Sequence, residues 1–413
     1  MSARVESMGF ATPPYERDQL DIGREQAKLW NLNASSQERW ERMVANCGIQ
    51  RRAAVMPLQE IVSFTTAQRM KCFSRHAPAL AVRAIESALT RAHRAAGEIT
   101  DLIVVTCTGF ESPGPLHDIC VQAGLPTTVR TSQIGFMGCF GGICGLDAAA
   151  GAALRHEEAV VLLVCVELCS LHLRNDRDAQ NMVASLLFAD GAAALVVSNS
   201  SISKDIARLS HGAADHLPNH KQNHALDRAP ATDRARQDRA LFTVGSRQAR
   251  RIANTAHAMS WQITDAGFAM TLDRSVPGHI ELAAADSLGD LKQCAIHPGG
   301  AAILDAMERG ANARHCGALA PESLLATRGV LRDHGNMSSG SVFFVLDRLL
   351  RSGVNGDIGM IAFGPGLTVD QIHIVAPSEF LTHSTSSCTA TGADIEVRTA
   401  QPIWRVGAEI AIG

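Results

Sequence analysis

Residues 133–154 read QIGFMGCFGGICGLDAAAGAAL: a short apolar run, a cysteine, and then a segment built almost wholly of Gly, Ala and small apolar residues. The run from Ile134 to Met137 is typical of the end of a buried strand, and the Ala and Leu content of residues 143–154 favours a helix. The glycines around Cys139 permit a tight turn and close packing of backbones. The stretch therefore predicts a strand-to-helix junction, with Cys139 near the N-terminus of a buried helix.

The predicted position of Cys139 suits a reactive thiol. The dipole and the free N–H groups at a helix N-terminus favour an anion, and the pKa of a cysteine falls in such places. A small buried core cysteine is the ordinary alternative. This segment alone does not decide between the two interpretations.

Apolar strands alternate with Ala-rich helices along the rest of the chain. The predicted strands are 101–108, 159–168, 192–200, one that ends within 293–300, and two around a Gly-Pro-Gly turn in 358–376; the predicted helices are 77–96, 276–288, 301–311 and 339–353. Strands that are apolar throughout indicate a sheet covered on both faces. We expect an α/β protein of two similar halves stacked together, with the reactive groups between them.

The composition limits the classes of function. The 413 residues suffice for two halves with sizeable cores, and 46% hydrophobic and 19% charged residues are typical of a soluble globular protein. A net charge of −3 and 4% aromatic residues argue against a nucleic-acid partner. Eleven cysteines without a C-x-x-C pair indicate free thiols in a reducing, cytoplasmic setting. We find no signal peptide and no apolar run that would span a membrane.

Two regions depart from this alternating pattern. Residues 211–240 are rich in His, Arg, Asp and Ala, lack aromatic residues, and are expected to form an exposed or disordered insertion. Histidines 211, 216, 220 and 224 have no Cys or carboxylate in register to complete a ligand set, so we predict no metal site. Residues 378–413 form a polar C-terminal extension that we expect to stay away from the chemistry.

Three polar residues occur in apolar surroundings: Cys139, His297 in AIHPGG, and Asn336 in DHGNMSSGSVFFVL. Taken singly, His297 could be a core histidine with satisfied hydrogen bonds, and Asn336 could be an N-cap. Together they supply a thiol nucleophile, a base and a second hydrogen-bond donor, which is the set that acyl transfer through a thioester requires. Phe188, in LLFADGAAAL, is expected near the same place.

Several motifs, in order along residues 1–376, resemble those of type III polyketide synthases, the chalcone synthase-like branch of the thiolase fold. They are GFMGCFGG, LLFADGAAALVV, WQITDAGFAMTLDRSVPGHI, AIHPGGAAILDAME, DHGNMSSGSVFFVLDRLL and FGPGLT. The resemblance implies a thiolase-like five-layered αβαβα fold. Its two similar halves would span 1–205, with the nucleophilic Cys, and 206–377, with His and Asn.

The resemblance also implies roles for individual residues. Cys139 would carry the acyl chain, while His297 and Asn336 would activate it and stabilise the enolate formed when malonyl-CoA loses carbon dioxide. Beside an imidazolium and a helix N-terminus, Cys139 is expected to be a thiolate well below pH 8. The family uses acyl-CoA and malonyl-CoA as substrates without a further cofactor, and its members are homodimers.

The remaining implied positions surround the substrate. Phe188 would be the gatekeeper between a CoA tunnel and the cavity, and the loop Gly364, Pro365 and Gly366 would shape the cavity floor. Arg39 and Arg42 align with basic residues that the family uses on CoA phosphates, whereas the third such position is Asn46.

Four cavity positions differ from those of the plant enzymes. A second gatekeeper Phe is replaced by Met270, a cavity Gly by Trp261, and two cavity Thr residues by Cys169 and His172. With the TCTGFESPG segment, this pattern resembles bacterial members that extend fatty acyl starters to alkylpyrones or alkylresorcinols. Bacterial tetrahydroxynaphthalene synthases also have a cysteine at the position of Cys169, so that product and a chalcone-type product remain alternatives.

Two other classes of function are compatible with part of the pattern. An inactive thiolase-fold binding protein would explain the insertion, but not the joint presence of Cys139, His297 and Asn336. A ketoacyl synthase that performs one condensation on a carrier protein would share these three residues. The context of Phe188 and the loop at 362–366 argue against it, although Ala362 replaces the Gly usual in that loop.

Overall fold

The computed structural model describes residues 2–199, 240–288, 291–313 and 319–378. Except for Ala240 and Ser378, the predicted insertion at 211–240 and the predicted extension at 378–413 lie outside these ranges. The strands are β1 (Ala3–Ala11), β2 (Tyr15–Asp18), β3 (Arg51–Ala54), β4 (Asp101–Thr106), β5 (Arg130–Gly135), β6 (Val160–Leu168), β7 (Asp190–Asn199), β8 (Phe242–Arg251), β9 (Met259–Thr264), β10 (Gly267–Leu272), β11 (Cys294–Ile296), β12 (Gly356–Gly364) and β13 (Thr368–Ala376). The helices are α1 (Gln19–Leu29), α2 (Ala34–Asn46), α3 (Leu58–Ile61), α4 (Thr66–Ala92), α5 (Pro115–Gln122), α6 (Gly141–Ala153), α7 (Ala179–Leu187), α8 (Val276–Leu288), α9 (Ala301–Ala313), α10 (Pro321–His334) and α11 (Ser341–Arg351).

Nine strands form one mixed sheet in the order β11-β12-β13-β8-β1-β7-β6-β4-β5. Parallel pairing joins β4 to β5 and β6, and β11 to β12, while the other neighbours are antiparallel. Strand β1 pairs with β7 on one side and with β8 on the other. The two halves are therefore joined through the first strand of the chain, as well as stacked through their helices.

Side-chain alternation in the strands separates an inner core from an outer core. In β4, Leu102 and Val104 belong to the outer core, whereas Ile103 and Val105 belong to the inner core. Helix α4 covers the outer face of β1 and β7, and α8, packed against α9, contacts β13. Helices α6 and α11 each contact strands of both halves. Helix α4 lies outside the strands of the first half, α6 and α11 lie between the strands of the two halves, and α8 with α9 lies outside the strands of the second half. This order of layers, α, β, α, β, α, confirms the predicted thiolase-like architecture.

The strands predicted to be covered on both faces are confirmed. Every residue of β6 and β7 is buried, as is expected for a strand that has helices on both sides. Predicted helix 276–288 matches α8 in both bounds. Helix α4 begins eleven residues before the predicted start at 77, at a capping box formed by Thr65 and Gln68.

The strand before Cys139 differs from the sequence prediction. Ile134 and Gly135 end β5, but this strand lies at the edge of the sheet and its first four residues, Arg-Thr-Ser-Gln, are exposed. Phe136 is 51% exposed and Met137 is 36% exposed. The prediction of a buried strand end was wrong because an apolar run of four residues does not distinguish a central strand from the end of an edge strand.

No helix in the described ranges is long and apolar enough to cross a membrane.

Candidate active site

Cys139 lies at the predicted strand-to-helix junction. Strand β5 ends at Gly135, a 3₁₀ turn spans Gly138–Phe140, and α6 begins at Gly141. Gly138 has a φ of +65°, and a Cβ there would lie 2.4 Å from Cδ of Pro365. The turn that presents the thiol therefore requires glycine, both for its backbone conformation and for its contact with the 364–366 loop.

Asn336 contacts Cys139 and is fixed by its own backbone. The Sγ atom of Cys139 lies 4.0 Å from Oδ1 of Asn336, and that oxygen accepts a hydrogen bond from the N–H of Ser338. The N–H of Asn336 donates to the carbonyl of Leu187, and its carbonyl accepts from the N–H of Ala189. These two hydrogen bonds bracket Phe188, so the predicted gatekeeper and Asn336 lie side by side across the two halves.

His297 follows β11 and is 1% exposed. Its backbone N–H donates to the carbonyl of Ile361, but neither ring nitrogen has a hydrogen-bond partner among the described residues. A core histidine with satisfied hydrogen bonds, the ordinary alternative from the sequence, would have such partners. Burial lowers the pKa of His297 to about 3, so the imidazole is neutral and retains a lone pair for a proton.

The protonation state of Cys139 differs from the sequence prediction. Burial raises the pKa of Cys139 to about 12, hydrogen bonding with Ser338 opposes this rise, and the charge of Glu167 adds to it. Burial thus disfavours both the thiolate and the imidazolium. Burial therefore favours the thiol and the neutral imidazole, in contrast to the predicted thiolate below pH 8. Among the described residues, no hydrogen bond joins His297 to Cys139.

A cavity of about 1090 Å³, counting the part open to solvent, opens beside Cys139. Eight of the residues proposed from the sequence line it: Cys139, Cys169, His172, Phe188, Trp261, Met270, Gly364 and Pro365. Gly366 is not among its lining residues, and neither are His297, Asn336, Arg39 and Arg42. The N–H of Gly366 instead donates to the carbonyl of Met259, which fixes the end of the loop behind the cavity.

One wall of the cavity is a stack of rings. The ring of His172 stacks on Phe268 with centroids 3.6 Å apart, and Phe268 stacks on Trp261 with centroids 4.4 Å apart. We call His172, Phe268 and Trp261 the aromatic wall. Sequence reasoning identified His172 and Trp261, the two ends of this wall, and missed Phe268. The signal was the alternation in GFAMTL, which places the side chains of Phe268 and Met270 on the same side of a strand.

Both halves of the chain match models of one protein family. Residues 3–201 match the N-terminal domain of chalcone and stilbene synthases, and residues 244–376 match the C-terminal domain. The chain belongs to the chalcone and stilbene synthase family. It is accordingly a type III polyketide synthase, an acyltransferase.

Two relatives and one solved structure match nearly the whole chain. Bisdemethoxycurcumin synthase of Oryza sativa subsp. japonica is 27% identical over 91% of this chain and 93% of its own length. The alpha-pyrone synthesis polyketide synthase-like Pks18 of Mycobacterium tuberculosis is 28% identical, over 89% of this chain and 90% of its own. The C-terminal type III polyketide synthase domain of Steely1 from Dictyostelium superposes with a TM-score of 0.76 at 25% identity, covering 91% of this chain and 99% of that domain.

Two arginines of this polyketide synthase that were assigned to CoA lie on the surface. Arg39 and Arg42 lie three residues apart on α2, where Arg39 donates to Ser36 and Arg42 to Glu38. The Arg42 side chain is 65% exposed, so the bond to Glu38 is a weak surface pair that a phosphate can replace. The CoA role of both arginines stays a prediction.

Two buried charged residues that support the site were missed by sequence reasoning. Glu167 accepts hydrogen bonds from Ser339 Oγ at 2.6 Å, Thr108 Oγ1 at 2.8 Å and the N–H of Cys107 at 3.0 Å, and so joins segments of both halves beneath Cys139. Arg52 donates to the carbonyl of Phe188 at 2.6 Å. The signal for Glu167 was a lone carboxylate near the end of the apolar run AVVLLVCVEL.

Proposed function

We propose that this type III polyketide synthase extends a fatty acyl-CoA starter with malonyl-CoA and cyclises the chain to an alkylpyrone or alkylresorcinol. The observation that carries this proposal is the apolar cavity beside Cys139, lined by Met259, Met270 and the aromatic wall. The printed name of the mycobacterial relative, which refers to alpha-pyrone synthesis, supports the same product class.

The loading step starts from the thiol form of Cys139 and the neutral imidazole of His297. As the sulfur of Cys139 attacks the thioester carbon of the starter, the thiol proton passes by way of His297 to the thiolate of CoA, which leaves when its C–S bond breaks. Asn336 and the N–H of the neutral His297 then donate hydrogen bonds to the enolate oxygen that forms when malonyl-CoA loses carbon dioxide. The enolate carbon attacks the acyl carbon on Cys139, and the C–Sγ bond breaks. The chain, now two carbons longer and held as a CoA thioester, returns to Cys139 with release of CoA, so each cycle adds two carbons.

The cavity favours flexible alkyl starters. Each methylene that is buried in an apolar cavity contributes roughly 0.8 kcal/mol, so six additional methylenes contribute up to about 5 kcal/mol before ordering costs. A compact aromatic starter gains less, because the aromatic wall already fills space on one side. We therefore expect medium to long acyl-CoA starters to exceed acetyl-, malonyl- and coumaroyl-CoA in kcat/KM.

A second candidate product is tetrahydroxynaphthalene, made from malonyl-CoA alone. The observation that favours it is Cys169, which lines the cavity as the corresponding cysteine is expected to do in bacterial synthases of that product. The two products require opposite starter preferences, so one assay distinguishes them.

The test is mass spectrometry of the products made from malonyl-CoA with acetyl-, hexanoyl-, dodecanoyl- and coumaroyl-CoA in competition. We expect alkylpyrones from two or three extensions of the longer alkyl starters. Trp261→Gly opens the aromatic wall and should lengthen the polyketide by at least one extension, whereas Trp261→Phe keeps a ring there as the matched control. The fatty acyl assignment is lost if malonyl-CoA alone is the best substrate.

The expected homodimer is also part of this proposal. The edge of β5 and the neighbouring side chains of Phe136 and Met137 are exposed in the single chain, close to Cys139. Pairing with a second copy would cover this apolar surface. Light scattering coupled to size-exclusion chromatography should give twice the chain mass of 44.0 kDa, and a monomer at micromolar concentration would rule the dimer out.

A further inference from the structure

The imidazole of His172 is held in one orientation and in one tautomer. Its Nε2 lies 2.8 Å from the backbone carbonyl oxygen of Thr108, and its ring is stacked on Phe268 at an interplanar angle of 9°. Because a carbonyl oxygen only accepts hydrogen bonds, Nε2 carries the proton. The other nitrogen, Nδ1, is consequently the acceptor of the neutral ring.

This acceptor nitrogen is buried and unsatisfied. Nδ1 of His172 has no hydrogen-bond partner among the described residues, although the residue lines the same cavity as Cys139. Burial, opposed by the hydrogen bond with Thr108 and aided by the charge of Arg69, lowers the pKa of His172 to about 3. The ring therefore stays neutral near pH 7, and within the described part of the chain the lone pair of Nδ1 lacks the hydrogen bond that a buried acceptor requires.

Neighbouring polar groups of the cavity are less suited to take a proton. Burial raises the pKa of the Cys169 thiol far above its usual value, so this group is protonated. The hydroxyl of Ser170 donates to Asp190 at 2.6 Å, and the amide oxygen of Asn181 accepts from the N–H of Met270. His172 supplies an unprotonated nitrogen that these groups do not.

We propose that Nδ1 of His172 is the base that accepts the enol proton of the triketide when the chain closes to a pyrone. This inference rests on the proposed pyrone-forming function. The enol oxygen at C5 of the triketide attacks the thioester carbon C1, the new C–O bond forms, and the C–Sγ bond to Cys139 breaks. The enol proton passes to Nδ1 and then to the released thiolate, which restores the thiol and the neutral imidazole.

Two substitutions separate the role of Nδ1 from packing. His172→Gln retains an N–H donor for the carbonyl of Thr108 and replaces the imidazole base with an amide, which does not take up a proton. His172→Phe retains a ring that stacks on Phe268 and lacks both nitrogens. His117→Phe, at an exposed position of α5, is the matched control for replacing a histidine.

The readout is intact-protein mass spectrometry of quenched single turnovers with dodecanoyl-CoA and malonyl-CoA. In both His172 variants the thioester of Cys139 carrying the starter plus two two-carbon units should accumulate, with its release slowed about 10²-fold or more. The wild type and His117→Phe should release it without accumulation. Thermal unfolding of each variant verifies that the protein is folded.

Release as fast as in the wild type from both His172 variants would overturn the inference. Release that is slowed in the Phe variant only would also overturn it, because the contact with Thr108 would then account for the effect. If the wild type never acquires an acyl group on Cys139, the proposed function itself fails. That result is distinct from the accumulation of a bound triketide.

Discussion

At Cys139, two electrostatic effects act on one proton in opposite directions. The N-terminus of α6 stabilises an anion by about 0.3–1 kcal/mol, and by at most about 2 kcal/mol in a partly buried geometry. Withdrawing an anion from water costs several kcal/mol. Desolvation is the larger effect, which is why the thiol stays protonated until a substrate or His297 changes its surroundings.

The pH dependence of alkylation tests this protonation state. Below its pKa the thiolate fraction rises tenfold for each pH unit, so the rate of Cys139 modification by iodoacetamide should rise about tenfold per unit from pH 7 to pH 9. Peptide mapping separates Cys139 from the other thiols. A plateau below pH 8 that disappears in His297→Ala would contradict this expectation and restore the thiolate–imidazolium pair.

Glu167 should tune the same proton. Its negative charge raises the pKa of Cys139, so Glu167→Gln should lower that pKa and accelerate alkylation at pH 8 on the order of tenfold. Glu158→Gln, at an exposed position, is the control and should leave the rate unchanged. Equal rates for both variants would show that Glu167 holds the loops without acting on the thiol.

Loading itself requires the sulfur of Cys139. Cys139→Ala should abolish formation of the acyl-enzyme, because it removes the thiol that this turn holds in contact with Asn336. Ala fits the small-residue turn, so circular dichroism should be unchanged. Product formed at the wild-type rate by this variant would remove Cys139 from the nucleophile role.

At the scale of elements, the small residues of α6 allow this helix to lie close to the segment that follows Asn336. A Cβ at Gly142 would lie 2.3 Å from the backbone oxygen of Ser339, and backbone does not rotate away as a flexible side chain does. Ser339 in turn donates to Glu167. The close packing of α6 therefore sets the position of the groups around the thiol.

Two alanine substitutions in α6 should have opposite effects. Gly142→Ala should lower the free energy of unfolding by about 1–3 kcal/mol through overpacking. Gly151→Ala has nothing within 4 Å of the added Cβ and should raise it by about 0.5–1 kcal/mol, since Ala loses less backbone entropy than Gly in a helix. Urea denaturation measures both, and a stabilised Gly142→Ala would contradict the packing described for α6.

At the scale of the whole molecule, the two halves share structure that neither has alone. Strand β1 belongs to the sheet of both halves, and the inner core contains side chains from β4, β6, β12 and β13. Arg247 of β8 donates to the fully buried Asp370 of β13 at 2.6 Å and to Asp147 of α6 at 3.2 Å. We therefore expect the halves to unfold together.

Removal of Arg247 tests this cooperativity. Arg247→Met leaves the carboxylate of Asp370 buried without its partner and should lower the free energy of unfolding by about 3 kcal/mol in a single transition. Arg328→Met removes exposed ion pairs with Asp305 and Glu308 and should cost less than about 1 kcal/mol. Two separate transitions, with only one shifted, would show that the halves unfold independently.

Sequence reasoning predicted best the elements whose pattern is set by full burial. The apolar runs of β6, β12 and β13 and the helix α8 have lengths and bounds that their own residues determine. The junction at Cys139 followed from its glycines. These features depend on local chemistry and on the two-faced covering of the sheet, both of which are visible in the order of residues.

The features that the sequence did not predict depend on partners far away in the chain. The exposure of β5 follows from its place at the edge of the sheet, and the aromatic wall brings His172 against Phe268, 96 residues later. The protonation of Cys139 depends on its desolvation by segments from both halves. Neither strand order nor desolvation is encoded within one motif, so motif spacing alone could not give them.

The pairing of β1 has a consequence for the order of events during synthesis. Ala3 pairs with Asn199, and Val5 pairs with Phe242, so the strand emerges from the ribosome long before either neighbour. At about 5–20 residues per second, this buried, largely apolar strand waits on the order of ten to forty seconds for β7. An unpaired strand of this kind is a site for aggregation or for capture by a chaperone. Nascent chains arrested before β7 should therefore be cleaved by protease within residues 3–11, and chains arrested well after β8 should be protected there.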